Sequence, residues 1–166
     1  MRQTSLTEMM KNNKEAFHWI ISILRKNKVD FHVTGGLAAK VYGSPRPLAD
    51  IDIELHDEDL KKILPSVKPY IVQGPAKYHD DQFDIYGMSL RYKNFGIDLF
   101  GSDTQKIFDK KQKRWTREKI DFYRANKKKI FGKIVPVIPL NELLRYKEKI
   151  ARAVDLEDIK NLREYM

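Results

Sequence analysis

Six consecutive residues, Asp50-Ile51-Asp52-Ile53-Glu54-Leu55, alternate acid and aliphatic without a break. Side chains two apart on a strand share a face. The aliphatic residues therefore ask for a core on one side, while Asp50 and Asp52 project together from the other. Their Cα atoms stand ~6.6–7 Å apart on an extended chain, close enough for both carboxylates to lean onto one cation or a pair of cations. Such a strand needs a sheet around it. By itself it is also what the wet face of a half-buried sheet looks like.

The flanking sequence supplies the sheet. An amphipathic helix is expected from about Leu6 to Asn27, opened by the capping-box pattern Ser5-Leu6-Thr7-Glu8 and carrying Phe17, Ile20, Ile21 and Leu24 at helical spacing. Phe31 to Thr34 reads as a short strand, and Gly35-Gly36 opens a small-residue helix through Leu37, Ala38, Ala39 and Val41. Asp57 is placed to cap a helix holding Leu60, Ile63 and Leu64, which Pro65 should end. Tyr70 to Val72, Phe83 to Tyr92 and Phe95 to Phe100 read as strands, the last two joined at Lys93-Asn94. A further hairpin turns at Phe131-Gly132-Lys133, and its second strand runs from Ile134 to Ile138. Two helices close the chain, Leu140 to about Val154 and Leu156 to Tyr165, with Asp155 as the cap of the second. The expected class is α+β, a mixed β-sheet flanked by helices. The 166 residues fit one domain, with a core to about residue 138 and C-terminal helices over about 139–166.

With no cysteine in the chain, disulfides and thiolate zinc sites are excluded. His18, His32, His56 and His79 lack metal-ligand spacing, so oxygen ligands are the metal chemistry to expect. No apolar run approaches the ~20 residues that span a bilayer, and the N-terminus is polar rather than signal-like. The expectation is a cytoplasmic protein with no membrane partner.

Gly35-Gly36 ends a strand and opens a helix, where free amides and the helix dipole favour a phosphate. A tight turn needing positive φ is the plainer explanation of the same pair. Asp98, in Gly96-Ile97-Asp98-Leu99-Phe100, sits on a strand whose aliphatic neighbours face the other way. If the two aspartate strands are neighbours, three carboxylates converge into a set of hard oxygen ligands of the kind Mg²⁺ prefers.

Val33-Thr34-Gly35-Gly36, the spacing to Asp50-Ile51-Asp52-Ile53, and the later Asp98 together resemble the signature of the DNA polymerase β-type nucleotidyltransferase superfamily. The resemblance covers roughly the first hundred residues. In its glycine pair the chain is more similar to lincosamide-type and abortive-infection-toxin-type enzymes than to the Gly-Ser minimal group. The arginine-aspartate element of CCA-adding enzymes is absent, with Leu37-Ala38-Ala39-Lys40 in its place. The resemblance implies the nucleotidyltransferase fold and transfer of a nucleoside monophosphate from an NTP, ATP among them, to an acceptor hydroxyl. It implies Mg²⁺ or Mn²⁺ on Asp50 and Asp52, with Asp98 joining the metal site or taking the acceptor proton. Gly35 and Gly36 would hold the triphosphate. The toxin-type relatives add the expectation of an antitoxin partner.

Two cations are candidates for the nucleotide. Arg46, in a Pro-flanked loop, is either a phosphate clamp or an exposed loop residue. Lys147 falls within the apolar stripe of Leu143, Leu144 and Ile150, where it either snorkels past the core or reaches the site as a point charge. Toxin-type relatives carry a lysine followed by an Asp-Leu-x-Asp-like segment, which Lys147 and Asp155-Leu156-Glu157-Asp158 resemble. Helix capping already explains Asp155 and Asp158.

The net charge of +9 is localised. Residues 106–133 hold 12 Lys or Arg against 3 acids, leaving the remainder neutral. With Trp115, Phe122, Tyr123 and Phe131 interleaved, this stretch reads as a footprint for RNA or a tRNA end, or as a solvated helix and hairpin whose rings face the core. The alternatives to an RNA-directed transferase are a small-molecule (antibiotic) nucleotidyltransferase and a non-catalytic nucleotide- or RNA-binding module of the same fold.

Overall fold

A computed structural model of the chain describes residues 6–164. Ser5, read as the first helix cap, and Tyr165, read as the last helical residue, lie outside the described residues. In chain order the elements are α1 (Leu6–Lys26), β1 (Phe31–Thr34), α2 (Gly35–Val41), β2 (Asp50–Leu55), α3 (Asp57–Val67), β3 (Ile71–His79), β4 (Phe83–Tyr92), β5 (Phe95–Gly101), β6 (Lys106–Asp109), β7 (Arg114–Arg117), β8 (Asn126–Ile130), β9 (Lys133–Val137), α4 (Leu140–Ile150) and α5 (Ala153–Arg163). The strands form one sheet in the order β7-β6-β4-β5-β2-β1-β9-β8, with β3 paired to β4. Parallel β2–β5 and β1–β9 pairs combine with antiparallel β1–β2, β4–β5 and β8–β9 pairs, so the sheet is mixed and the class is α+β. Among the described residues no helix is long and apolar enough to cross a membrane.

The alternation of β2 separates two environments. Ile51, Ile53 and Leu55, with Ile97 and Leu99 of β5, are fully buried in the core. Helices α1 and α3 pack against β5 on this side, contributing Phe17, Ile20, Leu24, Leu60 and Ile63. On the opposite face the acids of β2 remain, with α4 and α5 packed beside α2.

Several boundaries differ from the sequence expectation. Pro65 does not end α3, which continues to Val67 because Leu60, Ile63 and Val67 keep the helical spacing of a buried face. Asp57 is the first residue of α3 rather than its cap. Its carboxylate accepts from the Asp103 amide (3.1 Å) and the Thr104 hydroxyl (2.7 Å), tying the helix to the loop after β5. Tyr70 belongs to a 3₁₀ turn, and the strand after it is much longer than the three residues expected. The helix expected over Leu140–Val154 stops at Ile150, where Ala151 takes a left-handed conformation (φ 50°), and α5 starts at Ala153. Strands β6 and β7, in the basic stretch, were not expected at all. The Lys93-Asn94 and Phe131-Gly132 turns have both central residues at positive φ, the geometry that matches the twist of a hairpin.

Candidate active site

Strands β2 and β5 are parallel neighbours, with Asp52 directly opposite Asp98 and Asp50 opposite Gly96. Ligand oxygens of Asp50, Asp52 and Asp98 all lie within 4.8 Å of one another. Gly96 leaves the space beside Asp50 open, since a Cβ there would stand 3.6 Å from the Asp50 Cβ. Burial raises the Asp50 carboxyl above the usual carboxylate range, helped by the charge of Asp98. Asp52 is pushed well above that range, first by burial and then by Asp50 and Asp98, against the opposing pull of Lys147 and Arg152. Three acids held this close repel one another unless cations join them. The donor set therefore fits a divalent metal with oxygen preference. Asp98 also accepts a hydrogen bond from the Ser89 hydroxyl, which fixes its carboxylate against β4.

Glu54 continues the same face of β2 but is committed elsewhere. It is buried, paired with His32 and accepting from Gln105 Nε2 at 3.2 Å. His32 thus balances an internal acid, and His56 pairs with Asp103 at 2.8 Å. Neither lines the cleft.

The glycine pair opens α2 beside the acids. Gly35 has φ +60°, and a Cβ on it would lie 2.1 Å from Asp52 Oδ2. Gly36 is bordered by Arg46, whose guanidinium would stand 3.1 Å from a Cβ there. The turn and the close approach both operate here: the chain must bend at Gly35, and both missing side chains leave room for functional groups.

Arg46 is not a free loop residue. Its guanidinium donates to both carboxylate oxygens of Asp158, from Nε at 3.0 Å and from a terminal nitrogen at 2.9 Å. Lys147 is only 2% exposed, and its ammonium lies 2.9 Å from Asp158 and 3.2 Å from Asp155. Asp158 also accepts from Ser44. Burial alone would raise the Asp158 carboxyl, but Arg46, then Lys147 and Ser44, draw it down to about 2. The expected cap role of Asp155 holds only in part. It sits in the first turn of α5, accepting from the Arg152 amide at 3.1 Å, and it also binds Lys147 and the Arg152 side chain. Asp158 caps nothing and joins the loop before β2 to α4 and α5.

Two cleft residues escaped sequence reasoning. Arg152 follows the left-handed Ala151, bonds Asp155 at 2.7 Å and places its guanidinium 5.6 Å from the Phe83 ring centroid. Tyr146 lines the cleft one helical position before Lys147. Burial, then the charges of Glu54 and Asp52, holds its phenol protonated far above the usual range. The exposed arginine pattern near a helix start gave no signal, but Tyr146 could have been read as the neighbour of Lys147 on the same turn.

These groups surround a cleft of about 570 Å³, with the glycine turn, Arg46 and Lys147 on one side and the β3–β4 ribbon on the other. The sequence profile of the aminoglycoside-2''-adenylyltransferase family matches residues 16–162. The chain belongs to that family. It is a nucleotidyltransferase, as the glycine and aspartate pattern implied. No curated protein sequence matches the chain. Among solved structures, an inferred nucleotidyltransferase from Thermotoga maritima is similar at TM-score 0.70 and 18% identity, covering 92% of both chains. The lincosamide antibiotic adenylyltransferase LnuA, solved with lincomycin, gives TM-score 0.60 at 15% identity over 92% of this chain and 97% of its own. ANT(2'')-Ia, an antibiotic-resistance factor, gives TM-score 0.58 at 14% identity over 92% of this chain and 81% of its own. At these identities the structures support the shared fold of a family member.

Proposed function

We propose that this family member transfers a nucleoside monophosphate from an NTP to a hydroxyl of a small-molecule acceptor, with Mg²⁺ at Asp50, Asp52 and Asp98. The observation that carries it is the convergence of three carboxylates from adjacent strands beside the glycine turn. Mg²⁺ bound there supplies charge neutralisation at the phosphates and a more acidic acceptor hydroxyl. Gly35 and Gly36 admit the triphosphate, and Arg46 and Lys147 supply positive potential behind it. Asp158 and Asp155 hold those two cations in place and neutralise part of their charge. The acceptor oxygen forms its bond to the α-phosphorus as the bond to the bridging oxygen breaks. Pyrophosphate leaves with the electron pair, and the hydroxyl proton passes to Asp98.

The distribution of basic strands favours a small acceptor over RNA. Residues 106–133 are continuous in sequence, but β6 and β7 lie at one end of the sheet and β8 at the other. Five strands lie between β6 and β8 in the sheet. Lys127, Lys128 and Lys129 project from an edge strand, where lysines block edge-to-edge pairing. The charge excess therefore forms two patches rather than one track beside the cleft. An RNA acceptor, and with it a toxin role with an antitoxin partner, is the second reading, supported by the 91% exposure of Tyr123 between the patches.

Incubation with α-labelled NTPs, Mg²⁺ and either total RNA or a library of hydroxylated small molecules separates the two. Label entering small molecules in an EDTA-sensitive manner is the expected result. Label confined to RNA would replace the acceptor reading, and absence of any EDTA-sensitive transfer or pyrophosphate release would remove the catalytic one.

A further inference from the structure

The wall of the cleft beyond the acids is continuous with the sheet, and its side chains specify what can lie there. Ser89 of β4 is opposite Asp98 of β5. Residues two apart share a face, so the face of β4 that starts at Ser89 continues through Gly87 and Ile85 to Phe83. Opposite them on β3, Ala76 pairs with Gly87 and Tyr78 pairs with Ile85. Directly opposed residues of an antiparallel pair point the same way. A strip of Gly87, Ala76, Ile85, Tyr78 and Phe83 thus leads away from the reacting groups, and all five line the cleft. Tyr78 is 51% exposed, a large ring left open to a partner.

The charges of the same ribbon follow the opposite parity. Asp84, Lys77 and His79 alternate with the strip; Asp84 lies 3.4 Å from the Lys77 ammonium and 3.9 Å from the His79 ring, and Lys77 also borders the cleft. Asp80 is occupied by the Tyr78 hydroxyl and by the amides of Gln82 and Phe83. Among the described residues, the acids that line the cleft are Asp50, Asp52 and Asp98. At its far end the strip meets a cation, Arg152, over the Phe83 ring.

We infer that the acceptor is a hydroxyl compound with an apolar or aromatic face and at most one positive charge, its flat portion lying on Ile85, Tyr78 and Phe83 while its hydroxyl reaches Asp98. Beyond the three metal-site aspartates, a polycation such as an aminoglycoside finds no carboxylate on the strip to pair its ammonium groups and meets Arg152 and Lys77 instead, so like charges act against it. This rests on the nucleotidyl-transfer reading and narrows it to a class of acceptor distinct from the one in the family's name.

The test is a titration of the full chain, saturated with Mg²⁺ and a non-hydrolysable ATP analogue, by phenyl β-D-glucoside and by tobramycin at physiological ionic strength. The expected result is that phenyl glucoside binds at least about tenfold more tightly than tobramycin and shifts the Tyr78 and Phe83 ring signals. Tyr78→Ala, at an exposed position, should weaken the glucoside by roughly tenfold while leaving nucleotide affinity unchanged. Tobramycin binding as tightly as the glucoside, unmoved ring signals, or an unaffected Tyr78→Ala variant would each overturn the inference. Failure to bind the Mg²⁺–nucleotide at all would instead strike the underlying reading, and that binding is measured first.

Discussion

A Cβ placed on Gly35 would stand 2.1 Å from the Asp52 carboxylate, so the phosphate turn and the metal strand occupy one another's space. The contact ties a backbone choice to the chemistry. With φ at +60°, Gly35 also adopts a conformation that L-residues rarely take. Gly35→Ala is expected to cost about 1 kcal/mol or more in folding stability. Displacement of Asp52 should lower transfer activity by at least about 100-fold. Urea unfolding and label transfer measured on the same variant check both; full activity would mean that the turn and Asp52 are independent.

Lys147 is enclosed by Asp155 and Asp158. Lys147→Met keeps length and removes charge, leaving two buried carboxylates with one partner fewer. Loss of one member of a buried ion pair typically costs about 3–5 kcal/mol. The urea midpoint of Lys147→Met should fall accordingly, and an unchanged midpoint would show that the ammonium serves the nucleotide without bracing α4 against α5.

Asp158 sets a pH dependence with a definite sign. Its folded-state carboxyl is drawn down to about 2 by Arg46, Lys147 and Ser44, below the ~3.9 of an unfolded aspartate. The group therefore adds stability that is fully present above pH ~5 and is lost as pH falls toward 2, about 2.5 kcal/mol in total. Unfolding free energies measured between pH 5 and pH 2 should show this slope, and Asp158→Asn should flatten it.

The raised Asp50 and Asp52 carboxyls act in the opposite sense. Their folded-state values lie above the unfolded ones, so the site favours folding at low pH and opposes it as pH rises through those values. A divalent cation relieves that repulsion. Millimolar Mg²⁺ should raise Tm at pH 7.5, by mass action on the folded state. EDTA should reverse the rise, and in Asp50→Asn it should shrink. A Tm indifferent to Mg²⁺ in the wild type would argue against a metal at these acids.

Much of this architecture is legible before any coordinates. Asp50 to Leu55 is bounded correctly because strict alternation with a two-residue period leaves no competing element. The Lys93-Asn94 hairpin is legible because a polar pair that includes Asn, which tolerates positive φ, separates two apolar runs. Strands β6 and β7 are not legible: they are four residues each, and the inward face of β6 carries only Ile107 and the acid Asp109, too short and too mixed an alternation to mark a strand. The break at Ala151 is hidden because an alanine takes a left-handed position usually filled by glycine, and the turn that brings Arg152 to the cleft leaves no mark in the sequence. For Lys147, the apolar stripe suggests snorkelling past the core or a reach into the site, whereas the ammonium is enclosed by buried acids. Which acids enclose it depends on how α5 docks, and local pattern carries no record of that. The division of the basic segment is hidden for a related reason: its continuity in sequence carries no record of the crossover that places β6 and β7 at one end of the sheet and β8 at the other.

The most direct test of the central claim is label transfer from an α-labelled NTP by Asp52→Asn, with circular dichroism to verify the fold. Asp52 is the acid closest to the glycine turn and faces Asp98 in register. The variant is predicted to fold as the wild type does and to lose transfer by at least about 1000-fold. A folded Asp52→Asn protein with wild-type, EDTA-sensitive transfer would contradict the assignment of the three aspartates as the reacting centre.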